Sequence, residues 1–301
     1  MIRVGTRAAL WEAPADTLAA TDDFAGRSIT ALVGDSRRTW ALVDGRTVHE
    51  TEQPGRWREH ATIEGPAGTC LAVTPEGLLV GTEQAHVLRL IGSTRERVES
   101  FETADGRDAW YTPWGDPADV RSIAAGADGT LYVNVHVGGV VRSRDGGRTW
   151  TPTLDIESDV HQVLAHRQHP DVVLVAAAIG FGVSRDRGDS WQFLSGGLHA
   201  RYLRAVAVSG ETVLVSASMG PGGKRSALYR KALDGHDDFV RCADGLPAWF
   251  GDNIDTACLA AAGPLVVFGT EDGQVFRSRD GGQRWELLAK GLPPVTCITV
   301  E

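Results

Sequence analysis

The chain is short of the features that define several large protein classes. It has only four cysteines in 301 residues. Cys70, Cys242, Cys258 and Cys297 form no CxxC pair, which argues against a disulfide framework or a zinc ribbon. Cys70, Cys258 and Cys297 lie in apolar β-like runs, where a thiol behaves as a small hydrophobe, and reduced thiols fit a cytoplasmic location. No apolar run approaches the ~18 residues of a membrane helix, so no membrane partner is expected. Met1–Arg7 lacks the basic and apolar segments of a signal peptide. Positive charge is in deficit: 30 Lys and Arg against 39 Asp and Glu leave a net charge of −9. Sequence-independent nucleic-acid binding needs a basic face to neutralise phosphates, and none is expected. Missing too are GxSxG, a P-loop, a dinucleotide fingerprint and HExxH.

In excess are turn formers, with 36 Gly and 13 Pro, and a repeat. Three segments fit S-x-D-x-G-x-x-W: Ser143, Asp145, Gly147 and Trp150; Ser184, Asp186, Gly188 and Trp191; Ser278, Asp280, Gly282 and Trp285. From Trp150 to Trp191 is 41 residues and from Trp191 to Trp285 is 94, twice 47. A degenerate copy is therefore expected between the second and third, and Asp234 with Phe239 keeps the Asp-to-aromatic offset. Glu52 with Trp57 is a second worn copy. Each motif follows two runs rich in Val, Tyr and Thr separated by a Gly break, the pattern of paired strands. The Asp can accept from backbone N–H groups ahead of it, Gly supplies positive φ, and the Trp packs under the turn.

Units of about 40 residues follow, each one supersecondary module that needs its neighbours. Their innermost strands are expected to start near Ile29, Thr69, Val120, Val160, Leu203, Ile254 and Val295. The last begins too close to Glu301 to complete a sheet, whereas Ile2–Glu12 supplies strands of the missing kind. The expected fold is all-β: a single domain over 1–301, a seven-bladed β-propeller of four-stranded antiparallel blades, closed by a composite blade from both termini. Closure removes the exposed sheet edges.

The motif resembles the Asp-box, or BNR, repeat of sialidases, sortilin-type receptors, some large glycoside hydrolases and photosystem assembly factors. The resemblance covers most of the chain. It implies a propeller with its boxes on one rim and its ligand loops on the other face; it says little about function, because one fold hosts many. Aligning the innermost strands under that geometry puts Thr30, Thr69, Arg121, His161, Arg204, Asp255 and Thr296 at one level of the central channel. Two readings stand. In one, these residues are the polar wall of a water-filled channel, with Asp255 compensating an Arg. In the other, Arg121, His161, Arg204 and Asp255, with Tyr202 and His136 nearby, form a funnel for a small polar, anionic or glycan-like ligand, or for a protein segment.

Two loops on the same face add Trp110, Tyr111 and Trp114, and Trp249 and Phe250. Such aromatics either pack their loops down or wall a site. A Gly-rich basic insertion, Met219–Ser226, is a candidate flap. The alternative to a binding module is an enzyme using His161, Asp255, Arg121 and Arg204: a glycan hydrolase or lyase, or a metal-assisted catalyst. A sialidase is not expected, because the third Arg and the Arg-Ile-Pro signature that the resemblance calls for are absent, and sialidases have six blades. Glycoside hydrolysis needs two carboxylates at a set separation, and no spacing singles out such a pair. A metal would draw on His136, His161 and Asp255, but that donor set is bare, and no cofactor is expected.

Overall fold

The structure, a computed structural model, describes every residue except 15, 16, 36, 54 and 93. It contains seven four-stranded antiparallel sheets, five short 3-10 turns and, among the described residues, no α-helix. Blades 1 to 6 begin with innermost strands Ile29–Gly34, Gly68–Thr74, Val120–Ala125, Val160–Ala165, Tyr202–Ser209 and Leu259–Ala262. Blade 7 takes its innermost strand, Val295–Val300, from one end of the chain and Ile2–Thr6, Leu10–Ala13 and Ala19–Ala20 from the other. Each innermost strand touches those of the blades before and after it, and Val295–Val300 touches Ile29–Gly34, so the seven close a ring. Val300 stands opposite Ile2 and Ile298 opposite Val4.

Blade 6 departs from expectation. Its innermost strand starts at Leu259 rather than near Ile254, because Asp255–Cys258 is a turn (Cys258 N–H to the Asp255 carbonyl, 3.0 Å) with Ala257 in the left-handed region at φ 63°.

The second strands, such as Leu131–Val135 and Val173–Ala177, are buried throughout. They are mostly apolar, with Asn134 an exception, because both faces of each blade are covered by neighbours. The S-x-D-x-G-x-x-W turns join third strands to fourth. Asp145 Oδ1 accepts from the Ser143 hydroxyl (2.8 Å) and from the N–H groups of Arg148 (3.0 Å) and Thr149 (2.9 Å), while Gly147 N–H donates to Ser143 Oγ (2.8 Å). Asp280 makes the same set with Ser278, Gln283 and Arg284, and Asp186 keeps the bonds from the Ser184 hydroxyl and the Ser190 N–H. Trp150 and Trp285 are buried beneath their turns, edge-on to Phe101 and Phe268. The worn copy keeps only its aromatic: Phe239 packs on Phe181, but Asp234 faces outward to Arg185 (2.6 Å).

The termini are locked together. The Met1 ammonium donates to the Glu301 carbonyl (2.6 Å). Buried Arg3 reaches Glu12 (2.8 Å), Thr39 (2.6 Å) and Glu301 (2.9 Å), tying blade 7 to blade 1. All four cysteines are free and buried, and burial pushes the Cys70 and Cys297 thiols up to about 12.

Candidate functional site

A single backbone device builds the channel mouth. In blades 1, 2, 3, 4 and 7 the register between first and second strands slips by one residue, and the extra residue is Thr30, Thr69, Arg121, His161 or Thr296. Blade 5 slips between Leu203 and Val206, over Arg204 and Ala205. A bulge of this kind re-aims one side chain out of the pleat. The residues aligned from sequence are thus the ones the strands turn out of their ladders. In blade 6 the turn shifts the position by one: Thr256 Oγ1 donates to the carbonyls of His161 (3.2 Å) and Arg204 (3.0 Å). Asp255 stands just before it and reaches Arg204 Nη1 (2.9 Å).

Around this ring the polar groups are linked. Arg121 donates to His136 Nε2 (2.6 Å) and lies 3.4 Å from Asp159 Oδ1. Accepting that bond leaves His136 with its proton on Nδ1. Burial, with the Arg121 charge second, pulls the His136 imidazole down to about 4. His161, 1% exposed, donates from Nδ1 to the Leu203 carbonyl (2.6 Å). Its Nε2 has no hydrogen bond and lies 3.6 Å from Asp159 Oδ2. Burial holds His161 below its ordinary value, Asp159 opposing. Burial pushes the Asp159 carboxyl up, but contact with His161 and the charges of His161 and Arg121 outweigh it and leave it below the usual range. Arg204 donates to the Tyr202 hydroxyl (3.2 Å), and Tyr202 packs on His161 with ring centroids 4.7 Å apart. Arg204 Nε is buried without an acceptor.

Asp159 escaped the sequence reading. It occupies αL backbone (φ 42°) immediately before the strand of blade 4. A signal was present: Asp119-Val120-Arg121 and Asp159-Val160-His161 are the same tripeptide pattern in successive blades. In both, the Asp carbonyl accepts from the residue that ends the second strand's turn, His136 (2.8 Å) and Ala178 (3.0 Å). Burial, with Glu83 adding, raises the Asp119 carboxyl.

The aromatic loops divide. Trp110 is half-buried against Phe101 (5.5 Å), with Arg107 over its ring (5.1 Å). Trp114, 64% exposed, stands edge-on to His136 at 4.8 Å and so belongs to the mouth. Phe250 is core. Trp249 lies away from the ring, against the outer part of blade 5, where it meets His199 (4.7 Å). At the rim Glu271 pairs with Arg7 (2.7 Å) and Asp44 with Arg27 (2.8 Å). Among the described residues no three His, Cys, Asp or Glu are grouped to hold a metal ion. His136, His161 and Asp255 are each engaged as above.

Below the ring the channel changes character. The innermost strands of all seven blades wall a cavity of about 530 Å³ whose sides include Leu71, Val73, Ile123, Val206, Val208 and Ala260. Gln162, Gln168 and Thr299 line it as well, so below the mouth the wall mixes apolar and polar side chains.

No family model matches the chain, and no curated protein matches it. Among solved structures it is similar to the GH74 xyloglucanase of Xanthomonas campestris (TM-score 0.63, 18% identity, covering 86% of this chain and 45% of that one). It is also similar to an ancestral GH74 enzyme (0.65, 15%, 92% and 39%) and to the WD40 propeller domain of Doa1 (0.65, 14%, 97% and 90%). The chain spans less than half the length of both GH74 chains. At these identities the likeness shows the fold, and the chain is a seven-bladed β-propeller whose neighbours include both enzymes and WD40 proteins.

Proposed function

We propose that the chain is a binding propeller of the Asp-box kind whose channel mouth takes a small polyhydroxylated anion, of the sugar-acid type. One observation carries this reading: the ring is left with complementary vacant hydrogen-bonding atoms. Arg204 Nε is a buried donor without an acceptor, and His161 Nε2 is a buried acceptor without a donor, facing the Asp159 carboxylate at 3.6 Å. Unmet buried polar atoms cost free energy, and a ligand with an acidic oxygen and an adjacent hydroxyl answers both. Trp114 offers an exposed ring for the apolar face of a sugar. Asp159, held below the usual carboxylate range, and His136 and His161, held below the usual imidazole range, are not proton donors near neutrality, so these three supply no general acid to a bound ligand. Four buried, unpaired thiols suit a reducing, cytosolic setting.

The test is a titration of sugar acids, the matching neutral sugars and simple carboxylates, followed by calorimetry and NMR. A sugar acid is expected to bind saturably, with affinity falling about tenfold or more in Arg204→Gln and Arg121→Gln, as loss of a charged hydrogen bond implies. Binding that is indifferent to both substitutions, or equal for the neutral sugars, refutes the reading.

A further inference from the structure

Two unusual loops on the funnel face do not open over the channel; they meet each other on blade 5. Ser226 and Phe250 exchange backbone hydrogen bonds (3.0 and 2.9 Å), and Lys224 N–H donates to the Gly251 carbonyl (2.7 Å). Asn253 Nδ2 holds the Gly220 and Pro221 carbonyls (3.3 and 3.0 Å). The Gly-rich basic insertion is therefore pinned. Within it Gly223, Lys224 and Arg225 are three consecutive left-handed residues, at φ 71°, 66° and 51°. Glycine adopts that conformation freely. Lys and Arg do so at a cost that surrounding structure must impose, and such strain concentrates at ligand clamps.

The strained turn brings the Arg225 guanidinium to 4.5 Å from the centroid of the Trp249 ring. Arg241, from the outermost strand Val240–Arg241, lies over the same ring at 4.0 Å. Neither guanidinium makes a hydrogen bond or ion pair with any described residue; both lie against the indole. Arg241 Nε is buried and lacks an acceptor. The charges felt by His199 and Tyr229 beside them are these two arginines, with no carboxylate among them. In a chain of net charge −9, where arginines such as Arg3, Arg89 and Arg204 each have a carboxylate, this pair stands uncompensated. Contact with one indole holds two forked donors in the same neighbourhood, and guanidinium groups without a carboxylate partner are suited to gripping an oxyanion.

We propose that Arg225 and Arg241, held on Trp249, form a binding site for a doubly charged tetrahedral oxyanion, a phosphate or sulfate group, on the funnel face and apart from the channel mouth. The probes are inorganic phosphate, sulfate and acetate, titrated at constant ionic strength against a chloride background. The readout is the Trp249 indole N–H resonance, with the remaining indoles as internal references. Saturable binding of phosphate or sulfate with a Kd of about 1 mM or tighter is expected, with acetate at least about tenfold weaker. Arg225→Gln and Arg241→Gln are each expected to weaken it about tenfold or more. Arg225 sits in an exposed turn, so its variant keeps the test valid should Arg241→Gln fold poorly. Arg121→Gln should leave the oxyanion titration unchanged, which separates this site from the mouth. A flat titration of the wild type, equal binding of acetate, or unchanged affinity in a folded Arg225→Gln protein each overturns the proposal and leaves the stack as packing.

Discussion

Replacing Arg3 by Met removes a side chain that reaches Glu12, Glu301 and, in blade 1, Thr39. The Arg3 and Glu12 side chains are only 4% and 8% exposed. The substitution strands the Glu12 carboxylate, which retains the Gly55 N–H (2.9 Å) as a partner, and removes the contacts to Thr39 and Glu301. Breaking a buried pair by deleting one partner costs about 3–5 kcal/mol, most of it from the uncompensated charge. At about 2.1 cal/mol/K per residue, 301 residues carry an unfolding entropy of about 0.6 kcal/mol/K, so the melting temperature should fall by about 5–8 °C. Thermal unfolding by calorimetry reads this directly. The double variant Arg3→Met/Glu12→Gln keeps the acceptor for Gly55 but discharges the carboxylate, and should recover at least about half of the loss. A fall of less than about 1 °C, or strictly additive effects of the two substitutions, would refute the reasoning that an orphaned charge dominates.

Deleting residues 295–301 takes away the innermost strand of blade 7 and opens the ring; no cooperative thermal transition should remain, and a melt within a few degrees of wild type would contradict this. Asp280→Ala should lower stability by about 1–2 kcal/mol through the lost bonds to Ser278, Gln283 and Arg284, discounted for exposure, while ligand affinity at the channel mouth stays the same in calorimetry. The Ser190 hydroxyl and N–H, with Ser184, lower Asp186 to about 2. Its contribution is therefore present above its unfolded value of about 4 and is lost as pH falls from there toward 2. Denaturation midpoints of Asp186→Asn should accordingly fall less over that window than those of wild type.

The blade count and the joint between the termini were legible because three turns carry one staple, an Asp that caps its own turn with a Trp packed under it, and worn copies keep part of the pattern. Their spacing leaves a residue pattern at intervals of about 40. The mouth was legible only in part. Arg121, His161 and Arg204 were found by aligning strand starts, but what points them inward is a bulge, which no residue type announces. Blade 6 shows the consequence: a turn with Ala257 in αL backbone puts Thr256 where alignment put Asp255. Asp159 was missed because it precedes its strand and acts from a left-handed turn position, outside the aligned strand starts. Trp249 and Phe250 were placed on the funnel face by connectivity, yet connectivity carries no information about which loop another loop will pack against.

The splice in blade 7 also sets an order of events during synthesis. Ile2 cannot find Val300 until nearly the whole chain has been made. By the loop-closure relation, joining ends about 300 residues apart costs an unattached chain about 5 kcal/mol in entropy, but preformed blades shorten the effective tether. A nascent chain with six blades assembled still presents the flank of blade 1 and the edge of Ile2–Thr6 to its surroundings, both primed for β-pairing with a neighbour. The interval between the sixth blade and the closing strand is thus the chain's period of greatest exposure to aggregation, and it lasts until Val295–Val300 is free to pair with Ile2–Thr6.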